Sequence, residues 1–242
     1  MPSRDIHLRV GASCRPKSAR DHDKHELTES IEEYVEGIWR LQRELGTVGT
    51  GELARYMNVA PASVTTMLKR LSELRLVEHV RYEGVRITEK GEALAVDLLR
   101  KHRVIERLLV DFVGLPWHGV HNLACKLEHY ISLDVAERIQ RRLGNPTTCP
   151  HGNPIDATLD DGSRRLSETQ TEDPLVVVKI TDEREEFLTY VQSVGLVPGS
   201  RVAILQKTPF GDVLSLRVEG QPLPVAVGKE VAASIYVRVG DA

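Results

Sequence analysis

The 242-residue chain carries 32 Lys and Arg against 35 Asp and Glu, a net charge of −3, and is 41% apolar with 5% aromatic residues. That length allows two or three small domains, each with a Leu/Val/Ile core, and the charge balance excludes a uniformly basic nucleic-acid coat but not a local basic patch. No apolar run approaches the roughly 18 residues of a membrane span, and the polar N-terminus lacks a signal-peptide core. Cys14, Cys125 and Cys149, an odd and widely spaced set, read as reduced thiols of a cytoplasmic protein without a membrane partner.

Residues 1–26 are polar and aperiodic and read as a flexible tail. Helical periodicity begins at Leu27, where Ile31, Tyr34, Val35, Ile38, Leu41 and Leu45 recur every three or four residues behind a Thr28 cap. Gly46 and Gly49 end it. A short amphipathic stretch, 51–57, precedes an Asn58-Val-Ala-Pro61 connection and a helix over 61–74, with Pro61 in its first turn. Two β-leaning runs, 76–81 and 85–87, flank Tyr82-Glu83-Gly84 and form a hairpin. Thr88 opens a long helix to Phe112, stopped by Gly114-Leu-Pro116, and two further helices span 117–131 and 132–143. Residues 146–174 have linker composition. Short Val-rich strands then follow at 175–180, 201–206, 213–218, 224–227 and 235–239, punctuated by glycines, as in a small antiparallel barrel. The fold class is mainly α with a C-terminal small β-barrel.

Helix, short helix, turn, helix and hairpin is the order of a winged helix-turn-helix, here over 27–90. The candidate recognition helix carries Ser63, Thr65, Thr66, Lys69 and Arg70, with Val64, Met67, Leu68 and Leu71 as its apolar stripe. Short hydroxyls near a helix start reach phosphates or base edges, and Lys or Arg one turn later pairs with the DNA backbone. From Arg55 to Arg86 there are six basic residues against three acidic ones, a local +3. Arg81 and Arg86 flank the hairpin tip as a wing on phosphate would require. A merely solvated charged helix is the competing reading.

The helix over 117–131 places His121, Cys125, Glu128 and His129 within an arc of about 100°. His102 and Glu106 form an (i, i+4) pair one helix earlier, and Glu33 and Glu36 an (i, i+3) pair on the first helix. Carboxylate, imidazole and thiolate from three helices could enclose a metal ion. The mixed set disfavours both a Cys-rich zinc site and magnesium and suits Mn(II) or Fe(II). Catalytic signatures (H-E-x-x-H, a Walker loop, G-x-S-x-G) are absent, so an enzyme with a small-molecule substrate is not expected.

The stretches Glu32-Glu-Tyr-Val-Glu-Gly-Ile-Trp-Arg-Leu41, Lys101-His-Arg-Val-Ile-Glu-Arg-Leu-Leu109, Val120-His-Asn-Leu-Ala-Cys-Lys-Leu-Glu-His129 and His151-Gly-Asn-Pro-Ile155 resemble the diphtheria toxin repressor family of metal-dependent transcription factors. Val194–Val202 is similar to the FeoA-like small barrel of that family's long form. The resemblance implies a helical metal-binding and dimerisation domain over 91–145, a linker over 146–174 and a barrel over 175–242. It also implies a homodimer that represses metal-uptake genes from a palindromic operator, with up to two ions per subunit. By position, Glu33, Cys125, Glu128 and His129 match the family's primary site, and His102, Glu106 and His121 its ancillary site. Iron-type members have methionine in place of Glu33. Manganese-type members have a carboxylate there and at Glu36, but often glutamate in place of Cys125. The chain is a hybrid that leans to Mn(II), with Fe(II) as the alternative. Glu186 occupies the barrel carboxylate position of the ancillary site, but Thr189 stands where a glutamine is expected. Cys149 and His151 read as structural. The remaining rival is a winged-helix regulator that senses a small molecule or redox state through Cys125 without metal.

Overall fold

The structure is a computed structural model and describes residues 27–171, 173–208 and 212–240. The expected tail, 1–26, lies outside the described residues.

Helix α1 (Glu29–Leu45) starts where sequence chemistry says it should: Thr28 is extended and its hydroxyl accepts from the Ile31 amide, a cap that contributes about 1 kcal/mol. Its apolar stripe buries Ile31, Tyr34, Val35, Ile38 and Trp39. Helices α2 (Thr50–Tyr56) and α3 (Pro61–Glu73) follow, then a hairpin of β1 (Val77–Val80) and β2 (Gly84–Ile87), paired from Val77–Ile87 to Val80–Gly84. These elements share one core that includes Leu53, Val64, Leu68, Leu71 and Val85, which fixes the winged helix-turn-helix.

Helix α4 (Glu89–Arg107) is capped by Thr88 and continues into a π-helical turn, Leu108–Phe112. The helix expected over 117–131 is broken into three pieces: a 3-10 turn at Trp117–Gly119, α5 (His121–Leu127), and a second 3-10 turn at Glu128–Tyr130. Pro116 and Gly119 explain the first break. With α6 (Leu133–Arg142) these helices enclose two small cores, around Ile105, Leu109, Val120 and Ala124 and around Val104, Ala136 and Ile155. Phe112, Val113, Leu123, Leu127, Tyr130 and Val135 remain exposed.

Residues 146–157 differ from the solvated linker that their composition suggests. Cys149, His151, Asn153, Ile155 and Ala157 are all buried, and the segment forms a strap held by arginines. Arg107 donates to the Thr148 and Cys149 carbonyls, Arg103 to Pro154 O, and Arg43 of α1 to Ala157 O at 3.1 Å. Gly152 is required here: its φ is +86°, and a Cβ would sit 2.0 Å from the Val178 carbonyl oxygen. Pro and Gly in this stretch serve close packing, which composition alone cannot distinguish from flexibility.

The C-terminal domain is a six-stranded antiparallel sheet, β3 (Arg164–Arg165), β4 (Leu175–Ile180), β5 (Arg201–Lys207), β6 (Val213–Val218), β7 (Val225–Gly228) and β8 (Ile235–Val239), in the order β3-β8-β4-β5-β6-β7. No pairing of β7 with β3 closes it among the described residues. Two helices that the strand pattern did not announce, α7 (Glu185–Ser193) and α8 (Lys229–Ala233), cover its core of Val, Leu and Ile.

Candidate metal centre and DNA-reading face

Helix α4 turns His102 and Glu106 inward, 1% and 0% exposed. Interior polar groups on a helix need partners, and here they find each other and Glu128. His102 Nε2 is 3.0 Å from Glu106 Oε1, and Nδ1 is 2.7 Å from Glu128 Oε2. Both ring nitrogens can donate to a carboxylate only in the imidazolium form. Burial alone would lower the His102 pKa, but Glu106 holds it well above the usual value, and His102 in turn keeps Glu106 well below the carboxylate range against burial.

Helix α5 adds His121 and Cys125, with Cys125 Sγ 3.5 Å from His121 Nε2. Burial pushes the thiol up, yet the imidazoles of His102 and His121 bring it below its ordinary value. His121 Nδ1 lies 3.2 Å from Glu183 Oε2 and 3.7 Å from Glu106 Oε1; burial works against its charge, but Cys125, Glu106 and Glu183 raise its pKa to about 11. The strap contributes His151, whose Nδ1 is 3.2 Å from Glu106 Oε1 and 3.6 Å from Glu183 Oε1.

Among the described residues, three atoms in this cluster (Glu106 Oε2, His121 Nδ1 and His151 Nδ1) are buried without a well-aligned hydrogen bond, although both ring nitrogens lie within ion-pair distance of Glu106 and Glu183. Such groups are costly unless something else satisfies them. Potential donors group as His102, His121 and Cys125; as His102, Glu106, His121 and Glu183; and as Glu106, Cys149, His151 and Glu183, each with ligand atoms within 4.8 Å of one another. Ligand atoms at ~2.0–2.3 Å from one ion stand up to roughly 4.6 Å apart, so the residues fit a divalent metal.

The carboxylates of α1 face the same space. A cleft of about 820 Å³ is lined by Glu33, Glu36, Arg40, Cys125, Glu128, His129 and Glu183, among others. Glu33, expected as a primary ligand, is exposed along it. Glu32 is the residue that holds His129, with Oε2 2.5 Å from Nδ1. Glu36 is bound to Arg40 at 2.8 Å, and burial, which would raise its pKa, is overcome by the guanidinium.

Two features of the C-terminal half were not expected. Glu186 is exposed on α7 along the same cleft, while the carboxylate grouped with the buried donors is Glu183, in the extended stretch between β4 and α7. A position three residues earlier puts Glu183 beside Asn153, which donates to Glu183 Oε1 at 3.0 Å. Cys149 and His151, read as structural, belong to a potential ligand group. Their Cys-Pro-His spacing was the available signal. His121 bridges the Cys125 and Glu183 groupings, so the expected primary and ancillary sets share a boundary.

On the DNA-reading side, Ser63, Thr65, Thr66, Lys69 and Arg70 are exposed along α3 while Val64, Leu68 and Leu71 are buried. Thr65 and Thr66 donate back to the Pro61 and Ala62 carbonyls at 3.0 and 3.2 Å, leaving their oxygens to accept. Arg70 pairs with Glu73 at 3.2 Å. Arg81 lies over the ring of Tyr82, which is 91% exposed with φ +67° at the wing tip.

A winged helix-turn-helix, a helical middle with exposed apolar side chains and a buried cluster of metal-ligating types are the features of a metal-dependent DNA-binding regulator. Residues 26–85 match the iron dependent repressor N-terminal DNA binding domain, 88–157 its metal binding and dimerisation domain, and 164–239 the FeoA domain. The chain is 35% identical over 205 residues to the iron-dependent repressor IdeR of Mycobacterium tuberculosis, covering 78% of this chain and 89% of the relative. It is 34% identical over 137 residues to the diphtheria toxin repressor of Corynebacterium efficiens, covering 57% and 60%. Among solved structures, a manganese-dependent transcriptional repressor in complex with manganese superposes with a TM-score of 0.78 at 29% identity, over 86% of this chain and 99% of that one. The IdeR of T. acidophilum superposes at 0.72 with 28% identity, covering 88% and 99%. The chain belongs to the diphtheria toxin repressor/IdeR family of metal-dependent repressors, which are not enzymes. The family match displaces the metal-independent reading of Cys125. The match to the metal binding and dimerisation domain extends over the buried strap, to residue 157.

Proposed function

We propose that this protein is a Mn(II)-activated repressor that acts in the cytoplasm as a homodimer on a palindromic operator of metal-uptake genes, with up to two ions per subunit. The observation that carries the reading is the oxygen-rich donor set around Cys125: Glu33 and Glu36 of α1 line one cleft with Glu128 and His129. Hard carboxylates favour Mn(II), whereas Cys-rich sets favour zinc. Glu33, Glu36, Cys125, Glu128 and His129 would hold one ion, and Glu106, His121 and Glu183, with Cys149 and His151 at hand, a second. A bound ion supplies the positive charge that lets these carboxylates converge.

The protein's own residues carry the consequence. Glu32 and Glu29 of α1 already meet His129 and the Tyr130 hydroxyl, so α1 is docked on the segment that follows α5. Gly37, one turn from Glu33, lies so close to α2 that a Cβ would be 3.1 Å from Met57 Sδ and from the Tyr56 ring. Orientation imposed on α1 is therefore passed to α2 and α3. Fixing α3 in both protomers sets the spacing of two recognition helices for successive major grooves, and a coupling of ~1–3 kcal/mol per site is a typical size for such a switch. Phe112, Leu123, Leu127 and Val135, apolar and exposed on the helical middle, are the proposed isologous contact.

The lowered Cys125 pKa favours a second reading, Fe(II), because a thiolate softens the site. Gel-shift of a candidate operator with chelated protein, then with Mn(II), anaerobic Fe(II) and Zn(II) at matched free concentrations, tests both. Retardation at the lowest free Mn(II) supports the proposal; retardation at lower free Fe(II) selects the iron reading; retardation in chelator alone rejects both.

A further inference from the structure

Arg40 sits on α1 one turn after Glu36. Its Nε and Nη2 both lie 2.8 Å from Glu36 Oε1, and Nη2 is 3.9 Å from Glu183 Oε2, which belongs to the C-terminal domain. The side chains are 25%, 17% and 6% exposed, so this cation is largely screened from water by the donor cluster itself. Arg184, also on the cleft wall, is tied to Asp182 at 2.6 Å. Every imidazole in the cluster can give up its proton when a metal is bound. A guanidinium cannot, because it stays charged throughout the accessible pH range.

We propose that Arg40 is a built-in competitor cation that occupies Glu36 and faces Glu183, and so sets the free-metal concentration at which the repressor becomes loaded. This rests on the metal reading above. With the site empty of metal, Arg40 offsets repulsion among Glu36, Glu106, Glu128 and Glu183. A metal held by Glu36 or Glu183 would have to share those carboxylates with this permanent charge. Affinity is thereby held down while the cleft stays assembled, and α1 stays linked to the C-terminal domain through Glu183. The sequence pattern could not reveal this role because Glu183 lies 143 residues beyond Arg40 in the chain.

The test is Mn(II) binding by the full chain, with free Mn(II) quantified by electron paramagnetic resonance and folding checked by circular dichroism. R40M is expected to tighten Mn(II) binding about tenfold by removing a like charge, whereas R40K, which keeps it, stays within about threefold of wild type. R40Q retains hydrogen bonding without charge and serves as the neutral variant if R40M does not fold; it is expected to tighten binding in the same direction. The R40M or R40Q gain should vanish in an E36Q background, where the contested carboxylate is gone; a merely structural role would not show this dependence. Unchanged or weakened binding in the folded neutral variant, or a gain that persists with E36Q, overturns the role of Arg40 while leaving the metal reading intact. Absence of Mn(II) and Fe(II) binding by wild type overturns that reading and this one together.

Discussion

Glu32 Oε2 and His129 Nδ1 stand 2.5 Å apart, joining the first helix to the turn after α5 across 97 positions of sequence. The contact lies on the far side of α1's acidic pair from Arg40, so it and the Arg40–Glu183 contact hold the helix at two points.

Glu32 and Glu33 should therefore be separable by mutation. Glu33→Ala is expected to raise the Mn(II) needed for operator binding at least ~10-fold, as loss of a direct ligand would, without lowering the melting temperature of the chelated protein. Glu32→Gln is expected to do the reverse: a stability loss of about 1–3 kcal/mol with a smaller change in metal response. Thermal melts and metal-titrated fluorescence anisotropy on labelled operator measure the two. Equal metal response of wild type and Glu33→Ala would remove Glu33 from the site.

Metal uptake should release protons. His121, raised to about 11, and His102, raised well above its usual value, are protonated near pH 7 and must become neutral to ligate. Affinity should thus rise with pH, about tenfold per unit for each proton released. In the chelated protein the sign is opposite. A raised folded pKa gives stability that is complete below the unfolded value of about 6.5 and lost as pH climbs through about 11. Calorimetric titration in two buffers of different ionisation enthalpy reads the proton count; zero would show that neither histidine is a ligand.

Glu183 and Glu186 form a matched pair for the C-terminal contribution. Glu183→Gln should lower the number of bound ions or weaken the second by roughly 10–100-fold, while Glu186→Gln leaves both ions in place. Equilibrium dialysis with elemental analysis counts them. The opposite ranking would restore the assignment made from sequence position.

Gly37→Val tests the link from metal to DNA. Its added methyls would enter the space held by Tyr56 and Met57, at a cost of ~1–3 kcal/mol, and should weaken operator affinity more than Mn(II) affinity. Parallel binding curves decide it. A proportional loss in both would locate the effect in folding alone.

The head domain was legible in the sequence because its signals are local: Thr28 and Thr88 as caps, Pro61 at a helix start, the Tyr82-Glu83-Gly84 turn. The clustering of His102, Glu106, His121 and Cys125 was legible by residue type, through spacing. What could not be read was partner choice across domains. Two adjacent glutamates, 32 and 33, differ by about 100° around α1, and only packing decides which meets His129. Glu183 escaped because it lies outside any periodic element. The strap escaped because buried backbone satisfied by Arg43, Arg103 and Arg107 leaves no compositional mark.

That strap also determines where the polypeptide can be divided. Ending the chain after α6, at the glycine and asparagine that close it, would strip three guanidinium groups of the carbonyls they serve and open the packing around Ile155 and Ala157. A fragment that retains everything through Ala157 keeps those partners. The severable joint is the exposed run of 158–160, so any shortened version of the molecule must carry its belt with it.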